Sequence, residues 1–399
     1  MAGKLRYAAG LDAGSSRTRC MIVALEDERI RLVGYGESAS RGWAKSRLAD
    51  SQALTESLRA AVKEAERTSQ ASVDEVVVGL GGTSVEGVHS RGVYEFGRPR
   101  EVSNADMAYA VELACRMRLE DDRLLLQVFL QDFTVDGKAG FRNPEKATCG
   151  RLEAHVHVVT VSGMEHQNLV SAVHQAHLAV EETVFEPVAA AYASVLPEER
   201  GRGVAVLDIG AHSSELVVYD GDAVLLAATI PIGGDHLTRD VAWGLCVSFE
   251  DAERLKYEYG CAILGLTADS NLIEVPSPEG RPVREATRRQ LNEILEARTE
   301  ELFLYVKKAV VQVGMEQWLM EGIVLTGGGA MLNGMCDMAE RVLNCQARNG
   351  LAVGIGDWKP EVDTPAWTTA AGLAMYAAKL KVHRDTRRRA PGFLGLVFR

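Results

Sequence analysis

Apolar and polar positions along this chain switch repeatedly between short buried runs and helical stripes. Tyr7-Ala-Ala-Gly-Leu-Asp-Ala-Gly-Ser-Ser-Arg-Thr-Arg-Cys-Met-Ile-Val reads as an apolar strand, a small polar turn and a second strand, which is a hairpin pattern. Leu54, Leu58, Ala61, Val62 and Ala65 recur at helical spacing and predict an amphipathic helix over 51–68. Val73–Leu80 is a buried strand, 164–179 a helix and Glu181–Phe185 a strand. A further helix opens at Pro187, whose missing N–H costs nothing in a first turn. Between these, 84–160 shows strand-like alternation and one helix, Asn104–Met117, as an inserted subdomain would. Further on, helices are expected over Glu250–Tyr259, 284–313 and Trp367–Leu380, with a strand at Gly322–Thr326 and strand-and-loop over 266–284.

The hairpin pattern returns half a chain later as Val204-Ala-Val-Leu-Asp-Ile-Gly-Ala-His-Ser-Ser-Glu-Leu-Val-Val-Tyr. Each copy would open its own lobe, so a duplicated α/β domain is the natural organisation. A length of 399 residues agrees, since one core rarely serves so long a chain. The composition, 47% hydrophobic and 25% charged, is that of a globular protein. No apolar run approaches the length of a membrane-spanning helix, and the N-terminus lacks a signal-peptide core, so a cytoplasmic location is expected. Seven cysteines without a C-x-x-C pair argue against a disulfide framework and a zinc site. A formal net charge of −11 argues against general nucleic-acid binding.

Phosphate binding needs backbone N–H groups at tight turns and a carboxylate or two for Mg²⁺. The turns at Asp12-Ala-Gly-Ser-Ser and Asp208-Ile-Gly-Ala-His supply both, and Ile230-Pro-Ile-Gly-Gly-Asp adds a third glycine turn. Any one Asp-x-Gly alone is more often an ordinary turn. Gly322-Ile-Val-Leu-Thr-Gly-Gly-Gly-Ala is more specific, because its bare backbone between strand and helix can carry a flat base. Glu253 and Lys256 share a helix face at i and i+3; from spacing alone a solvated pair is favoured.

In this order the two Asp turns, the Ala-Glu-x-x-Lys helix and the Thr-Gly-Gly-Gly-Ala loop resemble the phosphate, ribose and adenosine motifs of the actin superfamily. Within it the chain resembles the bacterial cell division protein FtsA from about residue 6 to 380. The closest passages are Ile230-Pro-Ile-Gly-Gly-Asp-His-Leu-Thr-Arg-Asp-Val-Ala, Gly137-Lys-Ala-Gly-Phe-Arg-Asn-Pro, the Gly322 segment and Gln290-Leu-Asn-Glu-Ile-Leu-Glu-Ala-Arg-Thr-Glu-Glu-Leu. The resemblance implies an actin-like two-lobed ATPase fold, α/β, with duplicated ribonuclease H-like domains and an FtsA-type 1C insertion. Its divisions would be 1A over 1–83 and 163–195, 1C over 84–162, 2A over 196–248 and 314–365, and 2B over 249–313. A helix over 366–383 would return to 1A, followed by a tail over 384–399.

The same resemblance implies ATP and Mg as cofactors. Asp12, Gly14, Ser15 and Ser16 would meet the phosphates from one lobe and Asp208 and Gly210 from the other. Asp12 and Asp208 would hold Mg through water, with Asp208 orienting an attacking water. Gly233 and Gly234 would close over the phosphates, Glu253 and Lys256 hold the ribose, and Gly327, Gly328 and Gly329 floor the adenine. Relatives often carry glycines where this chain has Ala211 and His212, whose Cβ atoms intrude on a phosphate turn. His212 either contacts phosphate or points out of the cleft, so hydrolysis stays open and at most weak.

Implied partners are the acidic-hydrophobic C-terminal peptide of FtsZ, further copies in an actin-like filament, and later division proteins through 1C. Arg288, Arg289, Arg298 and Lys307, beside Leu302 and Val306, are candidates for the peptide; as individual residues a solvated helix face is the plainer reading. In the tail, Arg387, Arg388 and Arg389 precede Phe393, Leu394, Leu396, Val397 and Phe398. Basic residues beside an apolar patch suit an anionic membrane, here the inner face of the cytoplasmic membrane at midcell; a tail packed on the protein or disordered is the alternative. Competing readings of the whole chain are a PilM-type scaffold of type IV pili and an actin-fold sugar kinase.

Four features look chemical and carry a plainer explanation. Val76-Val-Val-Gly-Leu-Gly-Gly-Thr-Ser places Ser84 where a dinucleotide loop needs its third glycine. His174 and His177 lack a third metal ligand. His155 and His157 fit strand pairing, and Glu186 fits a helix N-terminal acid favoured by the dipole.

Overall fold

The computed structural model describes residues 6–26, 29–44, 47–221, 223–266, 268, 271–276, 284–315 and 319–389, with side chains to 384. Lobe one opens with β1 (Arg6–Ala13), β2 (Arg17–Glu26) and β3 (Arg29–Ala39), a meander whose first two strands pair from Arg6↔Leu25 to Ala13↔Thr18. A small hairpin, β4 (Trp43–Ala44) and β5 (Arg47–Leu48), leads to α1 (Ser51–Ser69). Asp50 caps α1 by accepting the Gln52 and Ala53 N–H groups, each at 3.0 Å, and the predicted stripe faces inward. β6 (Glu75–Leu80) then pairs parallel to β1.

The insertion follows as a unit with its own core. It comprises β7 (Glu86–Glu101), α2 (Asn104–Cys115), β8 (Arg123–Val135), β9 (Lys138–Phe141) and β10 (Thr148–Ser162), in sheet order β7-β10-β8-β9. Val111, Phe133, Leu152 and Val156 fill the space between α2 and the sheet. α2 ends at Cys115, two residues earlier than its apolar pattern suggested. The chain returns to lobe one through α3 (Gly163–Gln175), β11 (Ala179–Phe185) and α4 (Glu186–Ser194).

After α5 (Pro197–Arg202), lobe two repeats the plan with β12 (Val204–Ile209), β13 (Ser214–Asp220) and β14 (Ala223–Ile230). Its outer part holds α6 (Gly234–Leu245), α7 (Phe249–Tyr259), β15 (Leu272–Val275), β16 (Arg284–Thr287) and α8 (Arg288–Gln312). The long helix expected from 284 starts at Arg288, because 284–287 pairs with β15 and Thr287 forms a capping box with Gln290. β17 (Ile323–Thr326), α9 (Met335–Leu343) and β18 (Ala347–Asn349) complete the lobe, and α10 (Thr368–Arg389) returns to lobe one. That last helix runs nine residues beyond the expected Leu380.

The duplication is visible in the sheets. One has order β11-β6-β1-β2-β3 and the other β14-β13-β12-β17-β18, so an antiparallel meander of three is extended by parallel strands in both. Each lobe thus presents a first-hairpin turn beside the end of a parallel strand. The insertion also touches lobe two. His157 Nε2 accepts the Ala227 N–H at 2.9 Å, and the Gln131 amide donates to Val224 O at 3.1 Å. His157 pairs across the sheet with His89 and Phe129, and burial pushes its pKa down to about 4, so it docks as a neutral acceptor.

Candidate functional site

A cavity of about 530 Å³ lies between the lobes, in the range of small-molecule sites. Asp12, Gly14, Ser15 and Ser16 enter it from the β1–β2 turn, and Asp208 and Gly210 through Ser213 from the β12–β13 turn. Gly327, Gly328 and Gly329 line it after β17, Glu253 and Lys256 from α7, and Gly234 at the start of α6. Residues from five separate stretches of sequence therefore converge on one space.

Asp12 and Asp208 are both buried. Thr369, at the start of α10, donates its hydroxyl to Asp208 Oδ2. Gly327 adopts φ +82°, and a Cβ there would stand 2.2 Å from Asp208 Oδ1, so only glycine lets the loop after β17 reach the carboxylate. Gly328 has open space above it. Lys256 Nζ donates to Thr238 Oγ1 at 2.7 Å and to Gly234 O at 3.1 Å, and pairs with Glu253 at 2.7 Å. The Glu253–Lys256 couple thus stands at the cavity wall.

Gly233 is placed otherwise. It does not line the cavity; a Cβ on it would meet Ala211 O at 2.6 Å, so it is small in order to pack α6 on the 210–212 turn. The first N–H groups of α6 are also committed. Gly234 N–H donates to Gly210 O at 2.9 Å and Asp235 N–H to Ala211 O at 2.8 Å, while Gly233 N–H donates to His236 Nδ1. The expected closure of this turn over phosphates by backbone donation is not available from these groups.

Three further site residues emerge. Glu186, which sequence explained as a helix-start acid, is half-buried and lines the cavity against Gly79 and Gly81, and Gly79–Gly82 line the wall as well. Glu215 accepts the Gly82 N–H at 2.9 Å and the Ser213 hydroxyl at 2.7 Å, joining the lobes. Arg19 reaches in from β2, 3.9 Å from Asp12 and 2.9 Å from Glu37, over the Trp367 ring. The sequence signal for Glu186 was its place between a buried strand and a proline-started helix; Glu215 and Arg19 lie inside strands and gave none.

The electrostatics are those of crowded acids. Burial pushes Asp12 up to about 7, with Arg19 opposing and Asp208 adding. Burial likewise lifts Glu215 to about 7 against the Ser213 hydrogen bond, and raises Asp208 against the Thr369 hydrogen bond. Glu186 is raised well above the carboxylate range by burial, then by Asp12 and Glu215. A divalent cation placed among them would let these acids ionise. Among the described residues no three acids, histidines or cysteines converge on a metal site, so an ion would share its shell with water and ligand oxygens.

Two family models match the chain. One described as "Cell division protein FtsA" covers 205–372, and one described as "SHS2 domain inserted in FTSA" covers 82–160. The chain is 34% identical to the cell division protein FtsA of Borreliella burgdorferi, over 92% of this chain and 90% of that one. It is 32% identical to that of Pseudomonas aeruginosa, over 92% and 88%, and 30% to that of Escherichia coli K12, over 93% and 90%. The chain belongs to the FtsA family.

Solved structures extend the likeness in fold. The PilM–PilN type IV pilus biogenesis complex gives a TM-score of 0.66 at 18% identity, covering 93% of this chain and 98% of that one. MreB5 of Spiroplasma citri bound to ADP gives 0.54 at 11% identity, covering 97% and 99%. The two-lobed actin-like architecture is therefore that of this FtsA-family chain, with the insertion in the stretch that the SHS2 model matches.

The residues expected to meet a partner peptide sit differently from their sequence reading. Leu302 and Val306 are fully buried in the lobe-two core, because the apolar stripe of α8 faces the sheet. Arg298 forks onto Asp240 and also meets Glu301, Arg288 donates to Tyr259 O, Arg289 pairs with Glu293 and Lys307 donates to Val342 O. In this part of lobe two, Trp243 is 87% exposed, and Leu304 and Tyr305 are exposed on α8. Phe393, Leu394, Leu396, Val397 and Phe398 lie outside the described residues; Arg387, Arg388 and Arg389 close α10, their side chains undescribed. Among the described residues no helix is long and apolar enough to cross a membrane.

Proposed function

We propose that this FtsA-family protein binds Mg–ATP between its lobes, self-assembles, and ties FtsZ polymers to the inner face of the cytoplasmic membrane at the division septum. The observation that carries the nucleotide reading is the pair of duplicated Asp turns entering one cavity beside a bare glycine floor. Asp12 and Asp208, supported by Glu186 and Glu215, fit an ion that neutralises phosphate charge when bound. The ribose falls to Glu253 and Lys256 and the adenine to Gly327–Gly329. Phosphate contacts from lobe one come from Gly14, Ser15 and Ser16.

If water attacks the last phosphate, Glu186 is better placed than Asp208 to take its proton. Asp208 Oδ2 is already held by Thr369, while Glu186 is a half-buried acid of raised proton affinity that can serve as a base once a bound cation lets it ionise. Glu186→Gln should lower ATP turnover on the order of 100-fold while leaving ATP affinity within about threefold. A phosphate-release assay beside a binding titration checks this; unchanged turnover would return the role to Asp208.

The tethering part is tested by flotation of a labelled FtsZ C-terminal peptide with anionic vesicles. The whole chain should carry the peptide to the lipid. A chain ending at Ala390 should leave both in solution, and Trp243→Ala should float without the peptide, as truncated aromatic anchors usually cost a hot spot. Flotation of the wild-type chain with no peptide would favour the PilM-type scaffold.

A further inference from the structure

The C-terminal half of α10 lies across the strand starts of lobe one, whereas Asp12 and Leu80, at the other ends of β1 and β6, line the cavity. Lys381 Nζ donates to Tyr7 O in β1 at 2.7 Å and pairs with Glu75, the first residue of β6, at 2.9 Å. Arg384 Nη1 stands 3.1 Å from Glu181 in β11 and 3.9 Å from Glu75. β11 is bulged at this point: Val180 faces Val76 and Glu182 faces Val77, so Glu181 is an extra residue without a partner on β6. A bulge re-aims side chains. Here two consecutive acids meet the same helix, with Glu182 accepting the Tyr376 hydroxyl at 2.8 Å.

The Glu181 side chain is 1% exposed, yet among the described residues neither of its oxygens receives a hydrogen bond. Burial pushes its pKa up, with Arg384 opposing. A buried carboxylate without donors is poorly compensated for lost water, so its hold on a cation is weak. Arg384 is 58% exposed and already half in solvent. The helix continues through Arg387, Arg388 and Arg389 into the segment expected to meet a membrane.

We propose that Glu75 and Glu181 form an internal clasp for the basic end of α10, and that an anionic lipid surface competes with them for Lys381 and Arg384. This rests on the membrane reading of the C-terminal segment. In solution the clasp neutralises both cations against lobe one. At a charged bilayer, many headgroup phosphates stand against one exposed and one poorly solvated carboxylate, and juxtamembrane cations are attracted within a Debye length. The clasp therefore sets how much anionic lipid the protein needs before its whole basic end engages.

The experiment is co-sedimentation of the full chain with vesicles of about one-third phosphatidylglycerol in phosphatidylcholine, over a lipid titration. The proteins are the wild type, Glu75→Gln/Glu181→Gln, Lys381→Gln/Arg384→Gln and the variant with all of these substitutions. Neutralising the acids should tighten binding about tenfold when Lys381 and Arg384 are present, and less than about twofold when they are glutamine. Glu75→Gln alone, on a half-exposed carboxylate that leaves the bulge untouched, should give about a threefold gain. A gain as large without the cations as with them would reflect net charge only and overturn the clasp, as would no gain in either background. Absence of binding by both the wild type and the acid variant overturns the membrane reading, and the clasp with it.

Discussion

Asp12→Asn should make the ligand-free protein more stable above neutral pH and remove most of its affinity for Mg–ATP. Burial lifts the folded-state pKa of Asp12 to about 7, against Arg19 and with Asp208. A carboxyl whose folded pKa lies above its unfolded value holds a proton longer in the native state. That contribution to stability is full below about pH 4 and is lost as pH rises through about 7. The asparagine variant lacks the titration. Between pH 5 and pH 8 the wild type should therefore lose on the order of 2–4 kcal/mol relative to the variant. Mg–ATP should restore the wild type and leave the variant unmoved, since the carboxylate that needs the ion is gone. Urea unfolding at both pH values, with and without Mg–ATP, reads this. Parallel pH profiles of the two proteins would show that Asp12 is not held protonated.

Gly372→Ala is the second large effect, and its sign is opposite to helix propensity. Within a helix, alanine is ordinarily better than glycine by about 1 kcal/mol. In α10, however, a Cβ at 372 would lie 1.8 Å from Ala189 O and 2.4 Å from its carbonyl carbon. The small residues on both sides, Ala189, Ala190 and Ala193 in α4 and Ala370, Ala371 and Ala374 in α10, bring the backbones together and are all buried. Separating the helices should cost on the order of 3 kcal/mol. Because Thr369 lies one turn away and holds Asp208, ATP affinity should fall as well. A lower urea midpoint is expected; a higher one would mean that the helices do not pack this closely.

The parts of this molecule legible in sequence are those where the backbone dictates the residue. Asp12-x-Gly and Asp208-x-Gly are hairpin turns with local requirements, and their repetition disclosed the two lobes before any contact was known. Gly327–Gly329 were legible for the same reason. Glu186 was not, because an acid at a helix start has a sufficient local explanation, and only tertiary packing brings it against Gly79 and Gly81 beside Asp12. Gly79–Gly82 fail the dinucleotide spacing yet line the cavity, an outcome of where β6 ends. Leu302 and Val306 show the converse. A helix rich in charge looked like a docking face, while its apolar positions pointed into the core. Gly233 was right in kind and wrong in purpose, being small for the sake of Ala211.

The most direct measurement is calorimetric titration of the whole chain with ATP in magnesium, repeated with the ion chelated and with Asp12→Asn. A saturable affinity in the micromolar range or better, weakened at least about tenfold by chelation and again by the substitution, is the expected result. No saturable binding, or equal affinity under all three conditions, would contradict a magnesium–nucleotide site between the lobes.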